Sequence, residues 1–459
     1  MQNRVIVPFC KTKLWLVLFF FLFLLPAARA DALALRSALT FSGVPAVNST
    51  HYTPALKRKP ASKRYDFIRY SANQLTFLGK AKTSEPFRRF FEKMDSLKHH
   101  ASGKVRIVHF GGSHVQADVW TGQVRRRLRE WQPECEGERG FIFPQKLAHS
   151  NGSPNFRVNY HGHWRAHRNV KRKDELPIGV AGVAATTHDS LAELEIILTG
   201  DGWLDYPYPQ YTFTQVKVFH NIEDEGYLVR LSDTTLPHQC FINRAAGYTA
   251  FEFEHPLRSV RLSFVKVGTA ESEFVLRGLL LERNGAGFSY SAIGINGATV
   301  RSYLRCELLS KELALLNPDL IVFSIGVNDT RGKYFDAKKF EEDYENLLRT
   351  VKSVAPNAAI LFVTNSDNLR RSRAPNLNTL AAREVLFRLA QKHNAAVWDL
   401  FEVMGGLRSF AYWQQAKLAK RDKVHFNHSG YTLLGDLFFD ALIEAYNTYR
   451  EEEFATNKQ

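Results

Sequence analysis

The chain has 459 residues, a net charge of +15 and four cysteines. One cysteine falls in the N-terminal leader described next, which leaves three widely spaced ones, Cys135, Cys240 and Cys306. An odd number of distant cysteines excludes a framework of disulfide bonds and indicates buried thiols, with at most one bridge. The basic excess would suggest nucleic acid as a partner in the cytosol, but the predicted export favours an anionic envelope polymer or a membrane surface.

Residues 1–30 have the pattern of a signal peptide. Basic residues precede an apolar run of twelve residues, Leu14–Leu25, which is followed by Ala28-Arg29-Ala30. We therefore predict cleavage after Ala30 and a periplasmic or secreted mature protein. A membrane-spanning helix needs ~20 apolar residues. Neither this run nor any later one is long enough, so the mature chain is not expected to span a membrane.

Residues 31–83 show little periodicity and are predicted to form an irregular arm. From residue 84, apolar side chains recur at helical spacing, with Ser84 and Pro86 as start signals. The apolar, β-branched stretch 105–110 then predicts a strand that ends in Gly111-Gly112-Ser113-His114, and a helix with one apolar face follows it. We assign residues 84–189 to the first part of an α/β domain.

Residues 190–285 change to short strand-like runs separated by turn signals, which predicts an inserted β-sandwich. Aromatic side chains cluster early in this region, at Trp203, Tyr206, Tyr208 and Tyr211. Such side chains are suited either to stacking on sugar rings or to packing against the neighbouring domain, and the sequence does not separate the two roles.

Residues 286–450 return to alternating strands and helices, which predicts a parallel sheet covered by helices on both faces. Residues 451–459 form a tail. Two motifs follow apolar runs in this second part of the domain, Gly294-Ile295-Asn296-Gly297 and Gly326-Val327-Asn328-Asp329. Near its end, Asp422 precedes His425 by three positions.

These residues meet the requirements of a nucleophilic serine site. A serine hydroxyl needs an imidazole to take its proton and a carboxylate to orient that imidazole, which are the roles of His425 and Asp422 toward Ser113. The Gly297 N–H, the Asn328 amide and the Ser113 N–H would form an oxyanion hole. Each motif alone is common in turns and helix caps. The set of motifs at strand ends is what indicates catalysis.

The four motif blocks occur in the order of the SGNH hydrolase family, also called GDSL esterases, which the chain resembles over about residues 104–132 and 286–447. The resemblance implies a three-layer, flavodoxin-like α/β fold. It also implies the roles just described: Ser113 as nucleophile, His425 as general base, Asp422 as its orienting carboxylate, and Gly297 and Asn328 as oxyanion donors.

One departure from the family is visible. The usual Gly-Asp-Ser reads Gly111-Gly112-Ser113 here, so the aspartate is missing and the bracing of the serine turn is open. His114 resembles the Gly-Asp-Ser-His branch, which includes bacterial envelope esterases that act on acetylated sugars. Inserted jelly-roll-like domains occur in such esterases and are associated with carbohydrate binding.

Four further residues near these motifs have separate roles to consider, namely His109, His114, Asp329 and His428. His428 is the alternative base to His425, but it lacks the spacing to Asp422. His114, Asp329 and His428 are candidates for lining the pocket. His109, on the strand before the serine, is predicted to be a core histidine satisfied by hydrogen bonds. No cysteine or histidine set has zinc-ligand spacing, so we predict no metal site and no cofactor.

The sequence thus predicts an exported serine esterase that removes O-acetyl or other short acyl groups from a carbohydrate, such as peptidoglycan or another polysaccharide. A periplasmic O-acetyltransferase would use the same acyl-serine intermediate. A glycan-binding envelope protein that has lost activity is the third alternative.

Overall fold

The computed structural model describes residues 63–79, 83–171, 176–199, 211–222, 225–332, 334–370 and 374–456. The predicted signal peptide, most of the predicted arm and the aromatic residues Trp203, Tyr206 and Tyr208 lie outside the described residues.

Strands and helices fill most of the described chain. The strands are β1 (Leu75–Phe77), β2 (Lys104–Gly111), β3 (Gly140–Ile142), β4 (Phe156–His161), β5 (Arg165–Arg168), β6 (Val183–Thr187), β7 (Leu191–Leu198), β8 (Phe213–His220), β9 (Tyr227–Leu231), β10 (His238–Asn243), β11 (Tyr248–Leu257), β12 (Ser259–Lys266), β13 (Phe274–Glu282), β14 (Gly287–Gly294), β15 (Leu320–Ser324), β16 (Ala359–Val363), β17 (Leu369–Arg370), β18 (Ala374–Pro375) and β19 (Ala396–Trp398). The helices are α1 (Glu85–His100), α2 (Ser113–Gln116), α3 (Trp120–Trp131), α4 (Val300–Tyr303), α5 (Leu309–Leu316), α6 (Val327–Thr330), α7 (Ala337–Val354), α8 (Asn378–His393), α9 (Leu400–Val403), α10 (Phe410–Gln415) and α11 (His428–Thr456).

A six-stranded sheet forms the centre of the α/β domain, in the strand order β1-β19-β16-β15-β2-β14. Neighbouring strands run parallel except for β1, which is antiparallel to β19. Helix α11 packs against α1 and α3, and helix α7 packs against α5 and α8. Strand β15 is buried along Leu320–Phe323, as expected of a strand covered on both faces. The predicted parallel sheet flanked by helices is confirmed.

Three adjacent strands of this sheet end in register. Gly111, the last residue of β2, lies opposite Gly294 of β14 on one side and Ser324 of β15 on the other. Because the strands are parallel, the segments that follow them leave the sheet at the same edge. The serine, glycine and asparagine motifs are those segments.

Strands β3 to β13 form two antiparallel sheets outside the central one. The larger has the order β10-β11-β8-β13-β6-β5, with β3 also paired to β13, and the smaller has the order β4-β7-β12-β9. Phe264 of β12 stacks on Phe274 of β13 with ring centroids 4.4 Å apart. The two sheets therefore pack face to face as a β-sandwich.

This sandwich begins at Gly140, whereas the insertion was predicted to begin at residue 190. The early strands are weak signals in the sequence. Strand β4 alternates apolar with polar residues but is exposed along most of its length, and β6 has small side chains, Val183-Ala184-Ala185-Thr186-Thr187. What establishes these strands in the structure is their pairing, β4 with β7 and β6 with β13.

Both ends of the described chain are more regular than the sequence indicates. Leu75–Phe77, inside the predicted arm, pairs with β19 as strand β1. Helix α11 extends to Thr456, through most of the predicted tail, and Glu452 and Glu453 form ion pairs with Arg88 of α1. The sheet and its helices therefore extend beyond the predicted domain bounds.

No helix of the described residues combines the length and the apolar character that crossing a membrane requires. The three described cysteines are free thiols, with Cys135 and Cys306 buried and Cys240 partly exposed.

Candidate active site

The serine turn is a tight connection between β2 and the four-residue helix α2, which begins at Ser113. A Cβ on Gly111 would lie 2.2 Å from a methyl carbon of Val115, which is far inside contact distance. A Cβ on Gly112 would lie 3.1 Å from Asn328 Nδ2. The glycine pair therefore lets the backbone, the helix and the asparagine amide meet closely around the serine.

One buried residue, Tyr303, braces this turn, and another, Asp118, fixes the segment that follows α2. The hydroxyl of Tyr303 donates to Gly111 O at 2.8 Å. Beyond α2, the Asp118 carboxylate accepts hydrogen bonds from Arg125 (2.7 Å) and Arg139 (2.5 Å). Burial raises the pKa of Asp118, but the two guanidinium groups outweigh burial and lower this pKa to about 2. The carboxylate thus stays charged and holds the junction of α2 and α3.

Ser113, His425 and Asp422 form one chain of hydrogen bonds. Ser113 Oγ lies 2.7 Å from His425 Nε2, and His425 Nδ1 lies 2.8 Å from Asp422 Oδ2. Asp422 Oδ1 also accepts from the backbone N–H groups of Val424 (3.0 Å) and His425 (2.9 Å). Desolvation raises the pKa of Asp422, but these hydrogen bonds outweigh it and leave the pKa below its usual value.

The charged carboxylate decides the tautomer of His425. A carboxylate only accepts hydrogen bonds, so Nδ1 carries the proton and Nε2 is left with a lone pair that faces Ser113 Oγ. This is the arrangement in which an imidazole can take a proton from a serine hydroxyl.

The glycine and asparagine motifs lie beside the serine. Gly297 has a φ of +82°, which favours glycine, and it is exposed at the sheet edge. Asn328, on α6, donates one amide hydrogen of Nδ2 to Ala298 O at 2.9 Å. The second amide hydrogen of Asn328 and the Gly297 N–H can therefore both serve an oxygen bound next to Ser113.

His114 is held as a neutral side chain next to this chain of hydrogen bonds. Its ring centroid lies 5.2 Å from that of His425, and its Nδ1 lies 2.8 Å from the Tyr431 hydroxyl. Burial is the largest cause that lowers the pKa of His114 to about 3. A neutral ring here places no second positive charge beside His425.

Asp329 is partly buried, whereas His428 is exposed. Asp329 Oδ1 accepts from the Val300 N–H at 3.2 Å, and burial raises the pKa of Asp329 to about 7. His428 is exposed at the first position of α11, and the imidazole that contacts Ser113 is that of His425. Among the described residues, no three His, Cys, Asp or Glu side chains are clustered so that they could hold a metal ion.

His109 is a core residue, as its position on β2 predicts. It is fully buried, with its two ring nitrogens 2.7 Å from the Tyr290 hydroxyl and 2.6 Å from Ser324 Oγ. Burial lowers the pKa of His109 to about 3, so the ring is neutral.

The predicted aromatic cluster can be placed only at one member. Tyr211 is 3% exposed and lies beneath the Arg129 guanidinium, whose carbon is 4.4 Å from the ring centroid. Of the two roles left open for this cluster, Tyr211 therefore has the packing role, because its ring is already covered.

Gln116 is a buried residue of the site that the sequence analysis missed. Its Oε1 accepts from the Asn296 N–H at 2.6 Å, and its Nε2 donates to Ser150 Oγ at 2.8 Å and Asn151 O at 2.9 Å. Its position three residues after Ser113, on the same short helix, was the one signal in the sequence.

The chain is similar to known proteins in sequence over one region and in structure over most of its length. The sequence matches the GDSL-like Lipase/Acylhydrolase family over residues 269–433, a range that includes Gly297, Asn328, Asp422 and His425. Comparison with curated proteins gives no significant match.

Several solved structures are similar to the chain. A structure of a peptidoglycan O-acetylesterase is similar at 20% identity with a TM-score of 0.66, over 82% of this chain and 99% of that chain. A lipase/acylhydrolase from Enterococcus faecalis has 24% identity and a TM-score of 0.28, over 34% of this chain and 75% of its own. A carbohydrate esterase family 3 structure from Talaromyces cellulolyticus has 14% identity and a TM-score of 0.28, over 36% and 76% of the two chains. The first similarity shows a shared fold over most of the chain.

Proposed function

Because the chain belongs to the SGNH hydrolases, the GDSL-like lipase/acylhydrolase family, and is an ester-hydrolysing enzyme, we propose that it removes acetyl or other short acyl groups from a carbohydrate through an acyl-serine intermediate. The observation that carries this proposal is the hydrogen-bonded chain of Ser113, His425 and Asp422 at the edge of the sheet, with Gly297 and Asn328 beside it.

The first step forms the acyl-serine. His425 Nε2 takes the proton of Ser113 Oγ as this oxygen attacks the ester carbonyl carbon. The carbonyl oxygen becomes negative and accepts hydrogen bonds from the Ser113 N–H, the Gly297 N–H and the Asn328 amide. The bond to the sugar oxygen then breaks, and this oxygen leaves with the proton held by His425.

The second step releases the acyl group. His425 takes a proton from a water molecule, whose oxygen attacks the acyl carbon, and Ser113 leaves with that proton. Asp422 remains ionised and stabilises the imidazolium in both steps. Because His114 stays neutral, His425 is the histidine of these two that becomes protonated during the reaction.

Carbohydrate as the acyl carrier rests on two supports. A solved structure that is similar over most of the chain is that of a peptidoglycan O-acetylesterase, and the serine is followed by His114 as in the branch with envelope sugar esterases. We propose that the β-sandwich binds the polysaccharide, with peptidoglycan as the first substrate to test. Export follows from residues 1–30 and matches an envelope substrate.

The test is acetate release by the purified mature chain from 4-nitrophenyl acetate and from a panel of O-acetylated glycans. Ser113→Ala should abolish release, whereas Ser353→Ala, the same change at an exposed position of α7, should leave it intact. Release that survives Ser113→Ala would refute the proposal. Acetyl groups that move to an added sugar acceptor in preference to water would identify a transferase. Glycan binding without any turnover would identify an inactive binding protein.

A further inference from the structure

The turn after β14 has its backbone N–H groups occupied with one exception. Backbone N–H groups donate hydrogen bonds as follows: Ile295 to Gly111 O (3.3 Å), Asn296 to Gln116 Oε1 (2.6 Å), Ala298 to Ile295 O (2.9 Å), Thr299 to Ser302 Oγ (3.1 Å) and Val300 to Asp329 Oδ1 (3.2 Å). Gly297 is the residue of this run whose N–H has no acceptor within the described part of the chain. The turn is therefore fixed on both sides of one available donor.

Gln116 fixes the nearer side. Its side chain is 6% exposed and accepts from the Asn296 N–H, which belongs to the peptide group directly before that of Gly297. Gly294 packs so closely on α2 that a Cβ would lie 2.1 Å from the Gln116 backbone nitrogen. The helix that carries the serine and the turn that carries the glycine are thus joined through one residue.

The amide of Gln116 has one orientation that satisfies its surroundings. The Asn296 N–H can only donate, so Oε1 must face it, and the Asn151 carbonyl can only accept, so Nε2 must face that. Asn296 Nδ2 donates to the same two residues, to Ser150 Oγ (3.2 Å) and Asn151 Oδ1 (2.7 Å). Four side chains therefore form a closed network around the turn.

We propose that Gln116 is a positioning residue for the oxyanion hole: it holds the Asn296–Gly297 turn so that the Gly297 N–H points at the oxygen of an ester bound to Ser113. The inference rests on the proposed function, since it assigns a role within that same reaction. Gln116 touches no reacting atom and acts through Gly297.

The expected effect follows from the cost of a misplaced donor. Losing an oxyanion donor lowers kcat by about 10² to 10³, and a shift of ~1 Å in a positioned group can cost about 10². A turn that is loosened but not removed should lie at or below these values. The loss should appear in kcat and not in KM, because the carbonyl oxygen needs the donor most once it is charged.

The experiment measures kcat and KM for 4-nitrophenyl acetate in the full chain, in Gln116→Met and in Gln132→Met. Methionine matches glutamine in length but cannot form these hydrogen bonds. Gln132 is the matched control, since it is also buried and its Nε2 donates to Leu97 O at 3.0 Å, in contact with α1 and not with the turn. Gln116→Met should lower kcat by about 10 to 100-fold with KM within twofold, and Gln132→Met should keep kcat within twofold.

A milder variant guards against misfolding. Asn151→Ala removes an acceptor of Gln116 Nε2 and Asn296 Nδ2 from an exposed residue. It should lower kcat three- to tenfold without a change in KM.

The inference is overturned if folded Gln116→Met keeps the parent kcat, or if Gln132→Met loses kcat to the same extent. It is also overturned if the loss lies in KM. In each of these cases Ser113-dependent turnover by the parent chain would leave the proposed function standing. Absence of Ser113-dependent turnover in the parent would instead overturn the proposed function itself.

Discussion

The stability of the protein should depend on pH through Asp329, and Asp329→Asn should remove this dependence. Asp329 Oδ1 accepts from the Val300 N–H, while Oδ2 is buried and has no hydrogen-bond partner among the described residues. Burial raises the pKa of this carboxyl to about 7. Asparagine keeps an acceptor for the Val300 N–H and cannot ionise.

The direction and magnitude of this pH dependence follow from the difference in proton binding between the folded and the unfolded chain. A carboxyl whose pKa is higher in the folded than in the unfolded chain contributes stability that is complete below pH ~4 and is lost as the pH rises through about 7. Between pH 5 and pH 7 the folded chain keeps a proton that the unfolded chain has already lost. At 1.36 kcal/mol per pH unit, these two units amount to about 3 kcal/mol.

The assay is urea unfolding followed by circular dichroism at pH 5, 6, 7 and 8, with the free energy of unfolding compared between D329N and the parent. This difference should rise in favour of D329N by about 3 kcal/mol from pH 5 to pH 8. Asp233→Asn is the control: hydrogen bonds from Thr235 hold the pKa of exposed Asp233 below its usual value, so its difference should be flat. A D329N difference that is also flat would refute the reasoning about the buried carboxyl.

Three further outcomes are expected. Asn328→Ala should lower kcat by about 10² to 10³ because it removes an oxyanion donor. The control is Asn378→Ala, which removes an amide that donates to a backbone carbonyl at the end of α6 and should keep kcat within twofold in the same steady-state assay. His425→Gln should reduce turnover by at least ~10³, and His428→Gln should change it less than about fivefold, since one imidazole contacts the serine; the reverse order would make His428 the base. Mass spectrometry of the protein from an envelope fraction should give a chain that begins at Asp31, and retention of residues 1–30 in the cytosol would contradict export.

The fold could be predicted where the hydrophobic pattern of the sequence reflects which residues are buried. Strand β15 is buried on both faces along Leu320–Phe323 and therefore reads as a continuous apolar run, and β2 is mainly apolar over its buried part, 107–111. Helix α7 has one buried face, with Phe340, Leu347 and Val351 at helical spacing. The residues of the hydrogen-bonded chain were also identifiable, because Ser113 directly follows a predicted strand and Asp422 precedes His425 by three positions.

The missed elements have a different physical origin. Strand β10 (His238–Asn243) is largely exposed at the edge of its sheet and shows no alternation, so its pairing with β11 is what makes it a strand. The same holds for β1, which is three residues long and is held by β19. Gln116 was missed because its function depends on Asn296, which is 180 positions away, and a single sequence does not show that contact.

The β-sandwich occupies the connection between β2 and β14, which are adjacent parallel strands of the central sheet. The chain enters this connection through the serine turn and leaves it at the start of β14, whose far end carries the glycine turn. On the way it supplies Ser150 and Asn151, which hold the side chains of Gln116 and Asn296. Removing the whole connection would therefore remove the acceptors that keep Gln116 in place. The segment between β3 and β4 thus supports the geometry of the site itself, separately from the polysaccharide binding proposed for the sandwich.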